Sequence, residues 1–163
     1  MNYFKISLGI ILILSASRLI PHPPNFTSLQ ALSFYLPAIF GLIYLPAILI
    51  GFIFTDFIIG FHNTLFFTWG SIVVIAIFSK MYNFKNFKLR IFGSLFGALI
   101  FYIITNFGVW SFGSYGYTFQ GLLECYILAI PFFGNALVST FVYALVIEFI
   151  LKAKNNFFIY KKN

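Results

Sequence analysis

Three short stretches of this 163-residue chain hold most of the side chains that could do chemistry. The stretch RLIPHPPNFTS at 18–28 supplies Arg18, His22 and Asn25, and TDFIIGFHNT at 55–64 supplies Asp56 and His62. The third, GLLECYILAIPFFGN at 121–135, adds an acid, a thiol and an amide. Groups of these kinds hydrogen-bond small polar molecules, bind metals, or act as acids, bases and nucleophiles.

The spacing of these residues argues against catalysis and metal binding. The sequence has no HExxH or CxxC motif and no close pair of histidines, which are spacings typical of zinc sites. It also has no glycine-rich phosphate loop. The single cysteine, Cys125, excludes an internal disulfide. We therefore predict that the chain is not an enzyme and uses no cofactor or metal ion.

The composition indicates a membrane protein. Hydrophobic residues make up 61% of the chain and charged residues 8%, whereas soluble domains are about 25% charged. No Asp, Glu, Lys or Arg occurs from Leu19 to Thr55. One helix of that length would span about 55 Å, nearly twice a bilayer core of about 30 Å, so this stretch predicts two spans. The net charge of +7 would suggest nucleic-acid binding in a soluble protein. In a membrane protein, the basic residues instead indicate which side faces the cytoplasm, and we predict no nucleic-acid partner.

The apolar pattern predicts an all-α membrane protein with a single domain, residues 1–163, and six transmembrane helices. Pro37 and Pro46 predict kinks, while Gly93 and Gly97 predict close helix packing. Between the last two spans, residues 108–133 are predicted to form an external loop and a short helix that ends near Pro131. This segment either re-enters the membrane or lies across the outer mouth of the bundle. The predicted spans are residues 6–20, 27–44, 45–61, 65–79, 91–107 and 134–151.

The basic residues predict the orientation, because cytoplasmic loops are enriched in Lys and Arg. Arg18 is the only one of the ten that falls on the outer side of the six-span arrangement. An even number of spans places both termini on one side, which the charges identify as cytoplasmic. The nine others precede the first span, connect spans four and five, or follow span six: Lys5, Lys80, Lys85, Lys88, Arg90, Lys152, Lys154, Lys161 and Lys162.

This topology gathers the uncommon polar and aromatic residues at the outer end of the bundle, where we predict a ligand site. An uncompensated carboxylate at the membrane centre costs about 3 kcal/mol, so Asp56 and Glu124 need a partner, and Arg18 is the basic residue on their side. Glu148 has the helical spacing to pair with Lys152. The predicted ligand-binding residues are Arg18, His22, Asn25, Asp56, His62, Trp69, Asn106, Trp110, Tyr117, Glu124, Tyr126 and Asn135.

The three stretches quoted above, together with TNFGVW at 105–110, resemble a family of small bacterial inner-membrane proteins without assigned function. The resemblance covers nearly the whole chain. Members of that family usually have an acidic residue where this chain has Ser139 and Thr140. More remotely, the pattern resembles the substrate-binding S components of energy-coupling-factor (ECF) vitamin transporters. The first span lacks the Ala-xxx-Ala pattern by which many S components dock their transmembrane partner. The rod-shape-determining membrane protein MreD is similar in fold too.

The S-component resemblance implies uptake of a micronutrient or metabolite through an outward-facing pocket, with a separate transmembrane and ATPase module as partner. Arg18 would anchor an anionic group or neutralise Asp56. The histidines would form hydrogen bonds, the aromatic residues would stack on the ligand, and Glu124 would face the pocket. The alternative is a scaffold for envelope assembly that binds other membrane proteins and no small molecule.

The predicted topology can be tested with reporter fusions. Fusions after Lys85 and at the C-terminus should both report the cytoplasm, because the basic residues retain those segments there. A fusion near Ser114 should report the outer side. An outer location of the C-terminus would contradict the six-span arrangement.

Overall fold

The structure is a computed structural model that describes residues 3–81, 84 and 86–160, the last seven of them as helical backbone only. Lys85, Lys161 and Lys162, which the orientation argument used, lie outside the described residues, as does the side chain of Lys154. All regular secondary structure in the described part of the chain is helical. Its helices are α1 (Tyr3–Leu19), α2 (Leu29–Phe40), α3 (Leu45–Ile59), α4 (Leu65–Met81), α5 (Phe87–Ser111), α6 (Phe119–Leu128) and α7 (Ile130–Tyr160), with a 3-10 turn at Leu42–Tyr44.

Three segments are long and apolar enough to cross a membrane. They are Leu42–Ile59, which joins the 3-10 turn to α3, then α5, and the part of α7 that ends at Ala153. Their lengths of 18, 25 and 24 residues correspond to about 27–38 Å of helix, close to the hydrocarbon thickness of about 30 Å. The chain therefore has the helices of a membrane protein, while α1, α2, α4 and α6 are shorter.

The predicted span 27–44 is wrong as a continuous helix, because α2 covers only 12 residues. The chain before α2 contains three prolines and Asn25, whose φ of 63° interrupts helical backbone. At the other end Gly41 has a φ of 85°, which favours glycine and stops the helix. Pro37 lies inside α2, whereas Pro46 lies in the first turn of α3, where a proline is tolerated and forms no kink.

The external loop and short helix predicted for residues 108–133 occupy a shorter segment in the structure, residues 112–129. Helix α5 continues to Ser111, and α7 starts at Ile130, directly after the Ala129 that ends α6. Pro131 therefore begins α7 and does not end the short helix, since the first turn of a helix needs no proline N–H. The non-helical part of this region is residues 112–118, and Thr118 caps α6 by accepting a hydrogen bond from the Gly121 N–H at 3.0 Å.

Helix α2 is the centre of the bundle. It packs against α3, α4, α5 and α7, while α1 packs against α3. A helix that is apolar around its whole circumference is normally surrounded by protein, and eight of the twelve α2 residues are buried. Phe34 and Tyr35 are fully buried and form the core together with Leu14, Ile48, Ile72 and Ile75.

The glycines of α5 admit side chains from neighbouring helices. A Cβ atom on Gly93 would lie 2.4 Å from the ring of Phe34, and one on Gly97 would lie 3.1 Å from Ile75. The predicted close packing at this pair of glycines therefore consists of an α2 ring and an α4 side chain resting on the α5 backbone.

Substitution of Gly93 by alanine should destabilise the protein by about 1–3 kcal/mol, the usual cost of overpacking a core. The Phe34 ring is fully buried, so it cannot turn into solvent to make room for the added methyl group. The matched control is Gly70→Ala on α4, where a Cβ would meet nothing within 4 Å and where alanine favours the helix. Thermal unfolding in detergent measures both, and equal unfolding midpoints would contradict this packing.

Candidate functional site

An ion pair joins the ends of α1 and α3. The Arg18 guanidinium nitrogen Nη2 lies 2.7 Å from Oδ1 of Asp56. Its other terminal nitrogen, Nη1, donates hydrogen bonds to the Phe52 carbonyl oxygen at 3.1 Å and to the Thr55 hydroxyl. The guanidinium carbon also lies 4.3 Å from the centre of the Phe52 ring. Arg18 is thus held by four groups, all of them on α3.

Trp69 connects α4 to the same carboxylate. Its indole Nε1–H donates to Oδ2 of Asp56 at 2.8 Å, so both carboxylate oxygens are engaged. Asp56 is only 1% exposed, and a buried carboxylate is stable only when it is paired and hydrogen-bonded. The sequence-based choice between Asp56 and Glu124 as the partner of Arg18 is therefore resolved in favour of Asp56.

The segment 20–28 closes this end of the bundle and is attached to α7. The Asn135 side chain donates to the Pro24 carbonyl oxygen at 3.0 Å, and the Ser139 hydroxyl donates to the Asn25 carbonyl oxygen at 3.4 Å. The two imidazole nitrogens of His22 lie 2.7 and 3.2 Å from the carbonyl oxygens of Pro23 and Arg18. Asn135 thus positions the segment through its backbone.

Two adjoining cavities lie between this segment and the helix ends. The smaller has a volume of about 180 Å³ and the larger about 280 Å³. Asn25, His62, Thr68 and Phe101 line both of them. The smaller also contacts Arg18, His22, Thr27, Leu29, Gln30, Phe52 and Ile59. The larger extends along one face of α5 and the start of α7, where it is lined by Ala98, Tyr102, Thr105, Asn106, Val109, Ala129, Phe132, Phe133 and Ala136.

The most informative lining residue is one that sequence reasoning missed. Gln30 in α2 is 1% exposed, and its side-chain oxygen Oε1 has no hydrogen-bond partner among the described residues. A buried acceptor without a partner costs about 1–3 kcal/mol. The signal was present in the sequence, because Gln30 is a primary amide inside the uncharged stretch from Leu19 to Thr55.

The structure brings five of the twelve predicted residues to the cavity walls: Arg18, His22, Asn25, His62 and Asn106. Asp56, Trp69 and Asn135 lie behind these walls as supports. The other four lie outside the lining of both cavities, in the last turn of α5, in the loop 112–118 and in α6: Trp110, Tyr117, Glu124 and Tyr126.

These four residues do not form one cluster: Trp110 and Tyr117 contact each other, whereas the Tyr126 ring packs edge-on against Tyr102 with ring centres 5.5 Å apart. Trp110 donates to the Thr118 carbonyl oxygen at 3.3 Å and packs edge-on against Tyr117 with ring centres 6.5 Å apart. The Tyr126 hydroxyl donates to the Ile103 carbonyl oxygen at 2.7 Å, which fastens α6 to α5. Glu124 is exposed on α6 and lines neither cavity.

The third carboxylate has a different partner from the one that the sequence predicted. Glu148 forms a two-pronged pair with Arg90, at 2.6 Å from Nε to Oε1 and 2.7 Å from Nη2 to Oε2. This pair joins α7 to α5 at the end of the bundle opposite Arg18. The spacing to Lys152 suggested an ordinary pair within one helix, but the planar guanidinium matches a carboxylate better than an ammonium does.

Metal-ligating side chains are dispersed over the described residues. No three His, Cys, Asp or Glu side chains among them come close enough to hold a metal ion. Cys125 is buried and its thiol donates to the Asn106 carbonyl oxygen at 3.4 Å.

Comparison with known families gives one match. A model for a family of unknown function, DUF6580, matches residues 1–157, which is nearly the whole chain. The chain belongs to this family. No curated protein matches the chain, and no solved structure matches it either. Membership in DUF6580 agrees with the resemblance to a family without assigned function, and it assigns no ligand or partner.

Replacing Asp56 by leucine should lower stability by about 3 kcal/mol, because it leaves the Arg18 charge without its counterion. The double variant Arg18→Met, Asp56→Leu should recover much of that loss, since both charges are then absent. Trp69→Phe, which removes one hydrogen bond to the same carboxylate, should cost about 1 kcal/mol. Unfolding in detergent would measure all three, and equal losses for Asp56→Leu and Trp69→Phe would contradict the ion pair's role.

Proposed function

We propose that this chain binds a small, uncharged polar molecule in the two adjoining cavities and presents it for uptake across the membrane. The observation that carries the proposal is Gln30, a buried cavity-lining residue with an unpartnered amide oxygen. A ligand with an N–H or O–H donor would satisfy that oxygen. Binding would then recover part of the free energy that the buried acceptor costs the folded protein.

Charge balance supports a neutral or zwitterionic ligand. The one arginine in the cavity wall is already paired with Asp56 at 2.7 Å, so the two formal charges cancel. An anionic ligand would have to weaken that pair, which is expensive where water is scarce. Of the two roles that the sequence suggested for Arg18, neutralising Asp56 therefore fits the geometry better than anchoring an anion.

The size and lining of the cavities support a ligand with an apolar side. Binding sites for drug-sized ligands have volumes of about 300–1,000 Å³, and these cavities are smaller, at about 180 and 280 Å³. Phe52 and Phe101 offer ring surfaces next to the polar groups of Gln30, Thr68 and His62. This combination fits a small heterocycle or a compact metabolite with one apolar face.

The membrane arrangement belongs to the proposal. We place six crossings in a bacterial inner membrane with both termini in the cytoplasm, so that the cavities open to the outer side. The long apolar helices and the positive end formed by Lys80, Lys88, Arg90 and Lys152 support this arrangement. As in the S components that the sequence resembles, energy for uptake would come from an ATPase module on other chains, and the chain itself would perform no catalysis.

One observation favours the alternative, an envelope-assembly scaffold without a small ligand. Most of the predicted site residues already have partners within the protein. Asp56 is engaged by Arg18 and Trp69, and Asn106 donates to the Tyr102 carbonyl oxygen at 2.8 Å. Under this alternative the outer polar groups would only hold the helices together, and other membrane proteins would bind the lipid-facing surface.

A thermal-shift screen of the purified protein against vitamins, nucleobases and metal ions distinguishes the two functions. A bound ligand at about 100 times its Kd should raise the unfolding midpoint by about 5–10 °C. In Gln30→Leu the affinity for that compound should fall about tenfold, because one hydrogen bond to a buried amide is lost.

The matched control for this screen is Gln120→Leu, the same chemical change at an exposed position of α6. It should bind the compound as the unmodified protein does. If no compound stabilises the protein and envelope proteins co-purify with it, the scaffold is the better explanation. Equal loss of binding in both glutamine variants would place the ligand elsewhere.

A further inference from the structure

A second groove lies at the opposite end of the bundle, between the start of α5 and the last third of α7. Its volume is about 670 Å³, more than either cavity at the outer end. Its walls contain the ionic side chains Arg90, Glu148 and Lys152 and the apolar side chains of Phe87, Leu145, Phe149 and Leu151. From this groove we infer a binding site for an anionic phospholipid, with the headgroup phosphate at the basic residues and an acyl chain on the apolar wall.

The charges of the groove favour an anion. Arg90 and Lys152 contribute two positive charges and Glu148 one negative charge, which leaves a net charge of +1. Arg90 is occupied by its two-pronged pair with Glu148. Lys152 is exposed, and its side chain forms no ion pair or hydrogen bond with any other described residue. Its ammonium group is therefore the positive charge that remains for a phosphate.

The position of the groove favours a lipid over a soluble phosphate compound. Both of its walls belong to helices that are long and apolar enough to cross a membrane, α5 and α7. The side chains around its opening are large and apolar, and Phe149 is 74% exposed while Phe87 is 47% exposed. A surface of this kind faces hydrocarbon, so an occupant reaches the groove through the bilayer.

The depth of the groove along the helices fits a lipid headgroup. Lys80, Lys88, Arg90 and Lys152 all lie at this end of α4, α5 and α7, as basic residues do at the cytoplasmic membrane surface. Anionic headgroups lie at the same level, and basic pockets between helices on that side bind them. The apolar residues Phe149 and Leu145 lie about one and about two helical turns before Lys152, where the first part of an acyl chain would run.

The test is retention of phosphatidylglycerol by the full chain, measured by native mass spectrometry from mixed detergent micelles, with phosphatidylcholine as the neutral comparison. The protein should retain phosphatidylglycerol preferentially. Lys152→Gln should lower that preference about fivefold, the contribution of one basic residue near an anionic surface. The matched control is Lys80→Gln, the same change at the same end on a residue outside the groove lining, and it should leave the preference unchanged.

Glycerol 3-phosphate at millimolar concentration separates a lipid site from a site for soluble phosphates. It should not displace phosphatidylglycerol, because it lacks the acyl chain that occupies the apolar wall. Displacement by glycerol 3-phosphate, equal retention of the two lipids, or equal effects of Lys152→Gln and Lys80→Gln would each overturn the inference. The site is independent of the outer cavities, and Gln30→Leu should not alter it.

Discussion

The end of the bundle around segment 20–28 depends on the pairing of Arg18 with Asp56. A charged group at this depth is stable only with a partner, and each of these two residues is the partner of the other at 2.7 Å. The pair fixes the end of α1 on α3, and the Trp69 hydrogen bond adds α4. The ends of three helices are held together in this way. The segment 20–28 packs over these helix ends, and the cavities lie between the segment and the helices.

The two ion pairs lie at opposite ends of the bundle, and each joins a different pair of helices. Arg18 and Asp56 hold α1 to α3 at one end, whereas Arg90 and Glu148 hold α5 to α7 at the other. Between them, α2 contributes no charge and is held mainly by packing in the hydrophobic core. In the two binding sites that we propose, each end offers a different residue to a ligand: a neutral amide, Gln30, at one end and a cation, Lys152, at the other. The two proposed sites would therefore favour ligands of different charge.

The sequence was sufficient for the parts of the structure that follow from composition and from rare residues. The apolar stretches predicted the helices, and the scarcity of charge predicted the partner of Arg18 to within two candidates. The helix ends were predicted less well, because Gly41, Pro46 and Pro131 act through local backbone geometry that periodicity does not register. A proline inside an apolar run can kink a helix or start one, and the neighbouring turn decides which.

The candidate site was predicted only in outline. Topology alone placed the polar residues at one end, and His22, Asn25 and His62 do line the cavities. Which of the others face inward depends on the rotation of each helix about its axis. That rotation put Gln30 into the wall and Glu124 on the surface. The sequence analysis expected Glu124 to face the pocket because it is charged. An amide in an apolar helix, Gln30, was the better indicator of a residue in the cavity wall.

The shortness of α2 has an electrical consequence. Its 12 residues extend for about 18 Å, against about 30 Å for the hydrocarbon core, and the outer cavities begin at its first residues, Leu29 and Gln30. If water fills those cavities, the insulating layer along the bundle axis is reduced to little more than the length of α2. In the six-span arrangement that we propose, a membrane potential would then fall over a shorter distance than the full thickness of the hydrocarbon core.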